Sequence, residues 1–392
     1  MNLLIHTHFF APSVGGVETA VESLARGLAE IRSADGKMEF AVTLVTQSAR
    51  ENTNDEKFPF RVVRRPGIGS LAKLIRQSDV IHVAGPALAP MALAWVTGTP
   101  AVIEHHGYQA ICLNGLLVQQ PGAAVCPGYF LQRRYGKCVD CYAQETSRLR
   151  SSLKLLTMFP RQFFTRRAAT NIAISQHVMT RQGLPHTQVV YYGISDPLKA
   201  SEPESQQQFA AGDLCFAYVG RFVWEKGVAV LLRAVSLLQK EGRRFQIRLI
   251  GDGEQRPELE EFIRRENLGD TVTITGYLRG ERLAQELKAV DVVVMPSLCE
   301  ETAGLSAIEQ MMRGRLVIAS AIGGLREVVG DSGLTFPSGD AEALAERMRS
   351  VLENPAQFKE LGRKARMRSL GLFQIGRMIE EHAEIYRRVV RI

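Results

Sequence analysis

Glu301 and Glu309 stand where a loop meets a helix, and seven residues separate them. The stretch Met295–Ala321 reads MPSLCEETAGLSAIEQMMRGRLVIASA: a buried strand ends at Pro296–Ser297 and a helix opens near Gly304–Leu305. Glu301 therefore falls in the loop, and Glu309 lies about one turn inside the helix. That spacing sets a carboxylate at each end of an elongated ligand. The backbone N–H groups of the first helical turn, near Leu305 and Ser306, lie between them and suit a diphosphate. In isolation such a pair is usually a solvated helix residue and an ordinary loop charge, so the reading depends on its company.

That company is substantial. Val219–Gly227 reads VGRFVWEKG, a strand end followed by a turn that carries Arg221 and Lys226. Two cations at a strand-to-helix turn can clamp a diphosphate and neutralise it as a leaving group. His8–Glu18 reads HFFAPSVGGVE, with Gly15 and Gly16 between the first strand and the first helix. Their missing side chains let backbone approach a phosphate or sugar. His105 and His106 close another strand and precede Gly107-Tyr108. Gly251-Asp252-Gly253 starts a dinucleotide fingerprint but fails it, because the third glycine position holds Arg256 and Pro257 follows. A partial fingerprint is weak, so a dinucleotide oxidoreductase lacks its signature.

The set resembles the family-four retaining glycosyltransferases, glycosyl transferases of group 1. Glu301, then Gly304–Leu305, then Glu309 follows the family signature position by position. Ala303 stands where the family has Phe and Gln310 where it has Ala, departures that touch packing and not the carboxylates. The resemblance implies that Glu301 contacts donor-sugar hydroxyls and Glu309 the ribose, with Gly304, Leu305 and Ser306 between them. It implies that Arg221 and Lys226 bind phosphate and that the Gly15-Gly16 loop closes over the donor. Tyr277 and Leu278, after the strand Val272–Thr275, resemble the loop that holds the nucleotide base. His106, which fits better than His105, would contact the sugar near the reacting carbon. Gly251-Asp252-Gly253 becomes scaffold. Another departure lies in Tyr191–Pro197, YYGISDP, where Tyr192 replaces the usual Asn. The resemblance is strongest from Ala217 to Pro337.

The implied activity is front-face transfer of a hexosyl-type sugar, with retention, from a UDP- or GDP-sugar to an acceptor hydroxyl. Arg221 and Lys226 would stabilise the departing diphosphate, while Glu301 and His106 orient the sugar. No carboxylate serves as covalent nucleophile, and catalysis requires no cofactor. The acceptor would be a saccharide or a lipid-linked one, in bacterial polysaccharide, lipopolysaccharide or glycoconjugate synthesis. A sugar-nucleotide epimerase of the same fold and a non-catalytic sugar-nucleotide-binding partner are the alternatives. The intact Arg221, Lys226, Glu301 and Glu309 set speaks against the silent one.

The elements that must position these residues alternate from end to end. Asn2–His6, Glu39–Thr46, Val80–Val83, Ala101–His105, Asn171–Ile174 and Gln188–Tyr192 read as strands, and Val17–Ile31 as a helix with one apolar face. The alternation restarts with strands at Leu214–Val219, Gln246–Ile250, Val272–Thr275, Val292–Met295 and Leu316–Ala319. Helices fit Val228–Gln239, Glu258–Glu266, Glu281–Lys288, Leu305–Arg313 and Ala341–Leu352. Strands alternating with helices imply parallel sheets covered on both faces. The expected class is α/β of the GT-B type: two doubly wound Rossmann-like domains facing a deep cleft. The expected first domain is 1–195, on the acceptor side, with a cysteine-rich insert at 112–141. A Ser-, Gln-, Glu- and Pro-rich linker at 196–212 leads to the nucleotide-sugar domain at 213–375. A last helix at 376–392 would cross back to the first domain.

Charge and cysteines complete the reading. With 45% hydrophobic and 23% charged residues, 392 residues suit two globular domains. The net charge of +7 is local: nine bases and two acids between Leu131 and Thr170 account for all of it. A single patch argues against a nucleic-acid coat. Arg148–Arg167 interleaves bases with Leu149, Leu153, Leu156, Phe159 and Phe163. Such a helix can lie on anionic lipid, or pack its apolar side inward and leave a solvated basic face. Met1–His8 lacks an export signal, and prolines and glycines interrupt the apolar stretch Val80–Ile103. The expected location is cytoplasmic, with peripheral contact at the inner membrane face. Four of the six cysteines, Cys112, Cys126, Cys138 and Cys141, fall within the insert, the last two as C-x-x-C. Without an export signal, a structural zinc is favoured over disulfides, and four reduced thiols are the alternative.

Overall fold

Val292–Met295 and Leu316–Ser320 are fully buried along their length, which a strand tolerates only when both faces of its sheet are covered. The computed structural model describes residues 1–13, 15–50, 54–120, 124–198 and 214–391. It divides into two compact units, 1–194 with 373–392, and 195–372. Of the linker read at 196–212, residues 199–212 lie outside the described ones.

The first unit is built on seven strands: β1 Asn2–Thr7, β2 Ala41–Thr46, β3 Arg61–Arg64, β4 Val80–Ala84, β5 Ala101–His105, β6 Thr170–Ala173 and β7 Thr187–Val189. Their order is β3-β2-β1-β4-β5-β6-β7, parallel throughout. The helices are α1 Gly16–Glu30, α2 Ile68–Arg76, α3 Leu88–Thr97, α4 Tyr135–Tyr142, α5 Arg148–Arg166 and α6 Gln176–Gln182. In α1 the spacing of Val21, Leu24, Ala25 and Leu28 gathers the apolar side chains on one buried face.

The second unit repeats the plan with six strands: β8 Cys215–Val219, β9 Gln246–Ile250, β10 Val272–Gly276, β11 Val292–Met295, β12 Leu316–Ser320 and β13 Leu334–Phe336. Their order is β10-β9-β8-β11-β12-β13, again all parallel. Its helices are α7 Val228–Lys240, α8 Arg256–Arg265, α9 Gly280–Leu287, α10 Leu305–Met312, α11 Gly323–Val329, α12 Ala341–Glu353 and α13 Pro355–Leu372. The core between α7, α12 and the sheet includes Phe216, Leu231, Val235, Ile247, Val294 and Met348, all fully buried.

The last helix, α14 Ile375–Val390, belongs to the first unit. It packs on α1 and β4, where Ile379 fills the space above Gly27. An isolated bridge between Ile194 and Gln374 ties its entry to the segment that follows β7. In each unit the strand order reverses once, between β1 and β4 and between β8 and β11. Doubly wound sheets bind ligands beyond the carboxyl ends of the strands at such a switch point.

Candidate active site

In the second unit the switch point gathers the residues singled out from the sequence. Beyond β8, the turn Gly220–Gly227 carries Arg221 and Lys226, and Tyr218 fixes it by donating its hydroxyl to the Arg221 carbonyl at 2.8 Å. Beyond β11, the loop Pro296–Gly304 carries Glu301. The two loops are joined by the Leu298 N–H, which donates to the Glu225 carbonyl at 2.8 Å. Gly227 has φ +68°, and a Cβ there would lie 2.0 Å from the Pro296 carbonyl oxygen. Only glycine allows the loops this approach.

The approach makes one buried pair. Lys226 Nζ donates to Glu301 Oε1 at 2.5 Å, with side chains 23% and 12% exposed. Ser297 donates its hydroxyl to the same oxygen at 2.7 Å. Burial alone would raise the Glu301 carboxyl, but the Lys226 charge and these two hydrogen bonds hold it below its ordinary value. Burial alone would likewise lower the Lys226 ammonium, and the Glu301 charge overrides it, leaving it raised. The Glu301 backbone is fixed as well: its carbonyl accepts the Gly324 N–H at 2.6 Å, and a Cβ on Gly323, at φ +59°, would lie 2.5 Å from that oxygen.

Gly304 caps α10 in the left-handed region, with φ 65° and ψ 51°. Leu305 and Ser306 follow in the first turn, where N–H groups have no intrahelical acceptor. Glu309 is exposed on the same helix, and the exposed Arg221 guanidinium has no hydrogen-bond or ion-pair partner among the described residues. Tyr277 is exposed beyond β10 and Leu278 half-buried. Gln310, the departure from the family pattern, points inward and accepts from the buried Arg315 at 2.9 Å. Arg315 also bonds the Val290 and Leu287 carbonyls, so Gln310 locks the end of α10 to the segment before β11. Gly251-Asp252-Gly253 holds the β8 turn: the Phe222 N–H donates to the Asp252 carbonyl at 2.8 Å.

The first unit presents a different arrangement. Gly15 and Gly16 open α1 beyond β1, with the Thr19 N–H donating to the Gly15 carbonyl. His105 is buried and paired with Asn171 Oδ1 at 2.9 Å, and burial brings its pKa down to about 4. His106 turns both ring nitrogens to protein: Nδ1 lies 2.5 Å from the Tyr192 hydroxyl, and Nε2 3.4 Å from Glu104 Oε2. The Tyr192 ring also stacks on the imidazole at 5.7 Å. Tyr192, the other departure from the family pattern, is therefore a partner of the histidine.

Glu104 collects two further imidazoles. His82 Nε2 lies 3.2 Å from Oε2 and His382 Nε2 3.5 Å from Oε1, every side chain buried. His382 Nδ1 is 2.8 Å from the Met378 carbonyl, which can only accept, so that nitrogen carries a proton. Its Nε2 faces the carboxylate at the longer range of an ion-pair contact. The hydroxyls of Tyr386, at 2.9 Å, and Tyr192 can donate to the Nδ1 atoms of His82 and His106. Burial pushes both tyrosine hydroxyls well above their ordinary range, which keeps them donors. Burial would raise Glu104, but the surrounding imidazoles hold it well below. His82, Glu104 and His382 are also the one group of three or more metal-type ligands within 4.8 Å of one another among the described residues.

Sequence reasoning did not reach Ser297, Gly323, Gly324, Glu104, His82 or His382. The Gly323-Gly324 pair had a signal, since it repeats the strand, Gly-Gly, helix pattern of Gly15-Gly16. The Glu104 group had none, because it converges from sequence positions up to 300 residues apart.

With both sites described, the fold can be compared. The chain has the GT-B glycosyltransferase fold, two parallel-sheet Rossmann-like domains. It aligns with HepE of Anabaena in complex with UDP at TM-score 0.72, with 18% identity, covering 99% of this chain and 100% of that one. Sucrose-phosphate synthase of Thermosynechococcus elongatus aligns at 0.71, with 22% identity, over 100% and 99%. Residues 201–368 match the family model Glycosyl transferases group 1. A 2-deoxystreptamine glucosyltransferase of Streptomyces kanamyceticus is 36% identical over 37% of this chain and 38% of its own length. A glycogen synthase of Mycobacterium tuberculosis is 30% identical over 52% and 49%. The chain thus spans about half or less of the curated relatives it matches.

Proposed function

We propose that this protein is a retaining glycosyltransferase that moves a sugar from a UDP- or GDP-sugar to an acceptor hydroxyl. The observation that carries the reading is the Lys226–Glu301–Ser297 cluster at the switch point of the second sheet, beside the open first turn of α10. Lys226 and Arg221 supply positive charge for a departing diphosphate, and the N–H groups of Leu305 and Ser306 add donors. Glu301, held ionised by its partners, accepts from sugar hydroxyls, and Glu309 from the ribose. Tyr277 and Leu278 bound the base, and the Gly15-Gly16 turn offers backbone to the donor. His106, with both nitrogens engaged, acts through its placement at the end of β5. Relatives named for glycosyl transfer and a neighbour crystallised with UDP-glucose support a nucleotide sugar as donor.

The test is thermal-shift binding against a panel of nucleotide sugars, with UDP, GDP and NAD, followed by turnover with the donor that binds. Stabilisation lost in Arg221→Ala and Glu309→Ala, with transfer that keeps the anomeric configuration, supports the proposal. Epimerised donor without transfer makes the protein an epimerase, and stabilisation by NAD alone refutes the reading.

We further propose that α5 rests the protein on an anionic membrane. The apolar stripe of α5 faces outward: Leu149, Leu153, Leu156, Phe159 and Phe163 are exposed, Leu149 by 72%, while Ser151, Met158 and Thr165 are buried. Trp95, 53% exposed on α3, stands edge-on to Phe163 at 5.7 Å, and the Arg167 guanidinium lies over the Phe163 ring. An outward apolar stripe flanked by Arg148, Arg150, Arg166 and Arg167 matches the chemistry of an anionic bilayer surface. No helix among the described residues is long and apolar enough to cross a membrane. Sedimentation with phosphatidylglycerol vesicles, lost in Leu153→Ser/Leu156→Ser and weakened by salt, is the expected result. Equal binding to phosphatidylcholine, or none, overturns it.

A further inference from the structure

We infer that Cys112, Cys126, Cys138 and Cys141 form a structural site for one thiophilic divalent cation, with zinc the best match to the donors. The four thiols come from three separate pieces of chain. Cys112 ends a turn in which its N–H donates to the Tyr108 carbonyl at 2.8 Å. Cys126 follows the antiparallel bridge between Val118 and Val125, and its N–H donates to the Leu117 carbonyl at 2.7 Å. Cys138 and Cys141 lie one turn apart on α4. All four line one small cavity of about 20 Å³, closed on its other sides by Leu113, Val118 and Phe130 among others. None is disulfide-bonded.

Three features point to a cation at their centre. First, the cavity accommodates one atom-sized occupant, and four cysteines line it beside Asn114, Tyr129 and Tyr142. Second, the Gln120 N–H donates to Cys141 Sγ at 3.2 Å, the backbone contact that orients and stabilises a ligating thiolate. Third, no covalent bond ties the three pieces together, since all four cysteines are free. Their common packing is the cluster of Leu113, Phe130 and Met158, with Tyr135, Cys138, Tyr142 and Leu155 alongside, and the buried Ile111, Leu117 and Val118.

Burial raises Cys112, Cys138 and Cys141, so these three thiols keep their protons at neutral pH without the metal. Burial, reinforced by the neighbouring sulfurs, pushes Cys138 up to about 12. Cys112 spends its proton on Asn114 Oδ1 at 3.0 Å, and Cys141 on the Val118 carbonyl at 3.5 Å. Binding would release one proton from each thiol to solvent and leave two positive charges against four thiolates. Arg181, donating to the Cys126 carbonyl, sets a positive charge beside that doubly negative centre. No three of these sulfurs lie within 4.8 Å of one another, so the segments draw together around the ion. Gly107, at the head of this segment, directly follows His106, and its carbonyl accepts from Gln182 at 2.9 Å. A clamp on the insert thus steadies the strand end that carries the histidine.

The experiment is elemental analysis of the full chain, purified reduced and dialysed free of loose metal. Its companions are X-ray absorption at the zinc edge and replacement by cobalt(II). The expected results are one zinc per chain, an all-sulfur first shell and a thiolate-to-cobalt charge-transfer band. Cys138→Ser/Cys141→Ser should lose the zinc. Absence of stoichiometric metal overturns the inference, as does zinc kept in full by that variant. A nitrogen and oxygen shell also overturns it and assigns the metal to His82, Glu104 and His382. If the variant fails to fold, the absorption spectra of the unaltered protein decide between the two.

Discussion

All eight histidines of this chain lie in the first unit, and none falls between residues 195 and 372. Each unit nevertheless buries a glutamate near the carboxyl end of its sheet. In the second unit Glu301 is neutralised by a lysine, a fixed charge across the physiological range. In the first, Glu104 is neutralised within a shell of imidazoles and tyrosine hydroxyls that exchange protons. The same problem, a carboxylate removed from water, is solved once by a permanent ion pair and once by a network of exchangeable protons. The first solution leaves a strong, insensitive charge where a diphosphate would arrive. The second makes the first unit sensitive to acid.

Removing one partner of the permanent pair should have the largest effect. Lys226→Met leaves the half-buried Glu301 charge with only the Ser297 hydroxyl and the Arg221 charge to offset it, and we expect a loss of about 3 kcal/mol in urea unfolding. Transfer should fall at least ~100-fold with it. Adding Glu301→Gln should restore most of the stability and none of the activity. A double variant as unstable as the single one would mean that the pair is not a closed electrostatic unit.

Acid should separate the two units next. His6 and His105 are held neutral in the fold by burial, each with a pKa of about 4. The unfolded chain takes up these protons below about pH 6.5, so their stabilisation is complete above that value and is lost as the pH falls toward 4. Between pH 6.5 and 5 each should cost about 2 kcal/mol. Glu301, held below the ordinary carboxylate range, loses its contribution only in stronger acid. Hydrogen exchange at pH 5 should therefore show protection falling in 1–194 before 214–372. Uniform loss across both would remove the distinction.

The smallest effect tests one hydroxyl. Tyr386→Phe deprives His82 of the donor at its Nδ1 and should cost about 1–3 kcal/mol, the price of an unsatisfied buried group. A neutral outcome would show that the Tyr386 hydroxyl is not needed to satisfy His82.

The alternation of strands and helices was legible where central strands are short apolar runs and the longer helices show a stripe, while the short helices α2, α4, α6 and α11 were not read. Two edge strands were not. Arg61–Arg64 and Leu334–Phe336 are short and half-exposed at the margins of their sheets, so burial leaves little imprint on their composition. In the candidate site, Arg221, Lys226, Glu301 and Glu309 were singled out through their resemblance to the family signature, since their spacing alone also fits solvated surface charges. Ser297 and Gly324 act through one hydrogen bond each to Glu301, and serine or glycine in a loop carries no mark of that. For α5 the sequence left open which face was buried. The structure turns Leu149, Leu153 and Leu156 outward, a result that periodicity cannot supply because it fixes a stripe and not its direction.

The return of α14 to the first unit has a consequence for synthesis. Tyr386 and His82, which share a hydrogen bond, are 304 residues apart in sequence. At about 5–20 residues per second, roughly 15–60 seconds separate their emergence during translation. Throughout that interval the nascent first unit holds Glu104 and His82 without their last two neighbours, while all of 195–372 is made. The unit begun first is thus completed last, and a chaperone that shields the bare faces of α1 and β4 would have its longest task here.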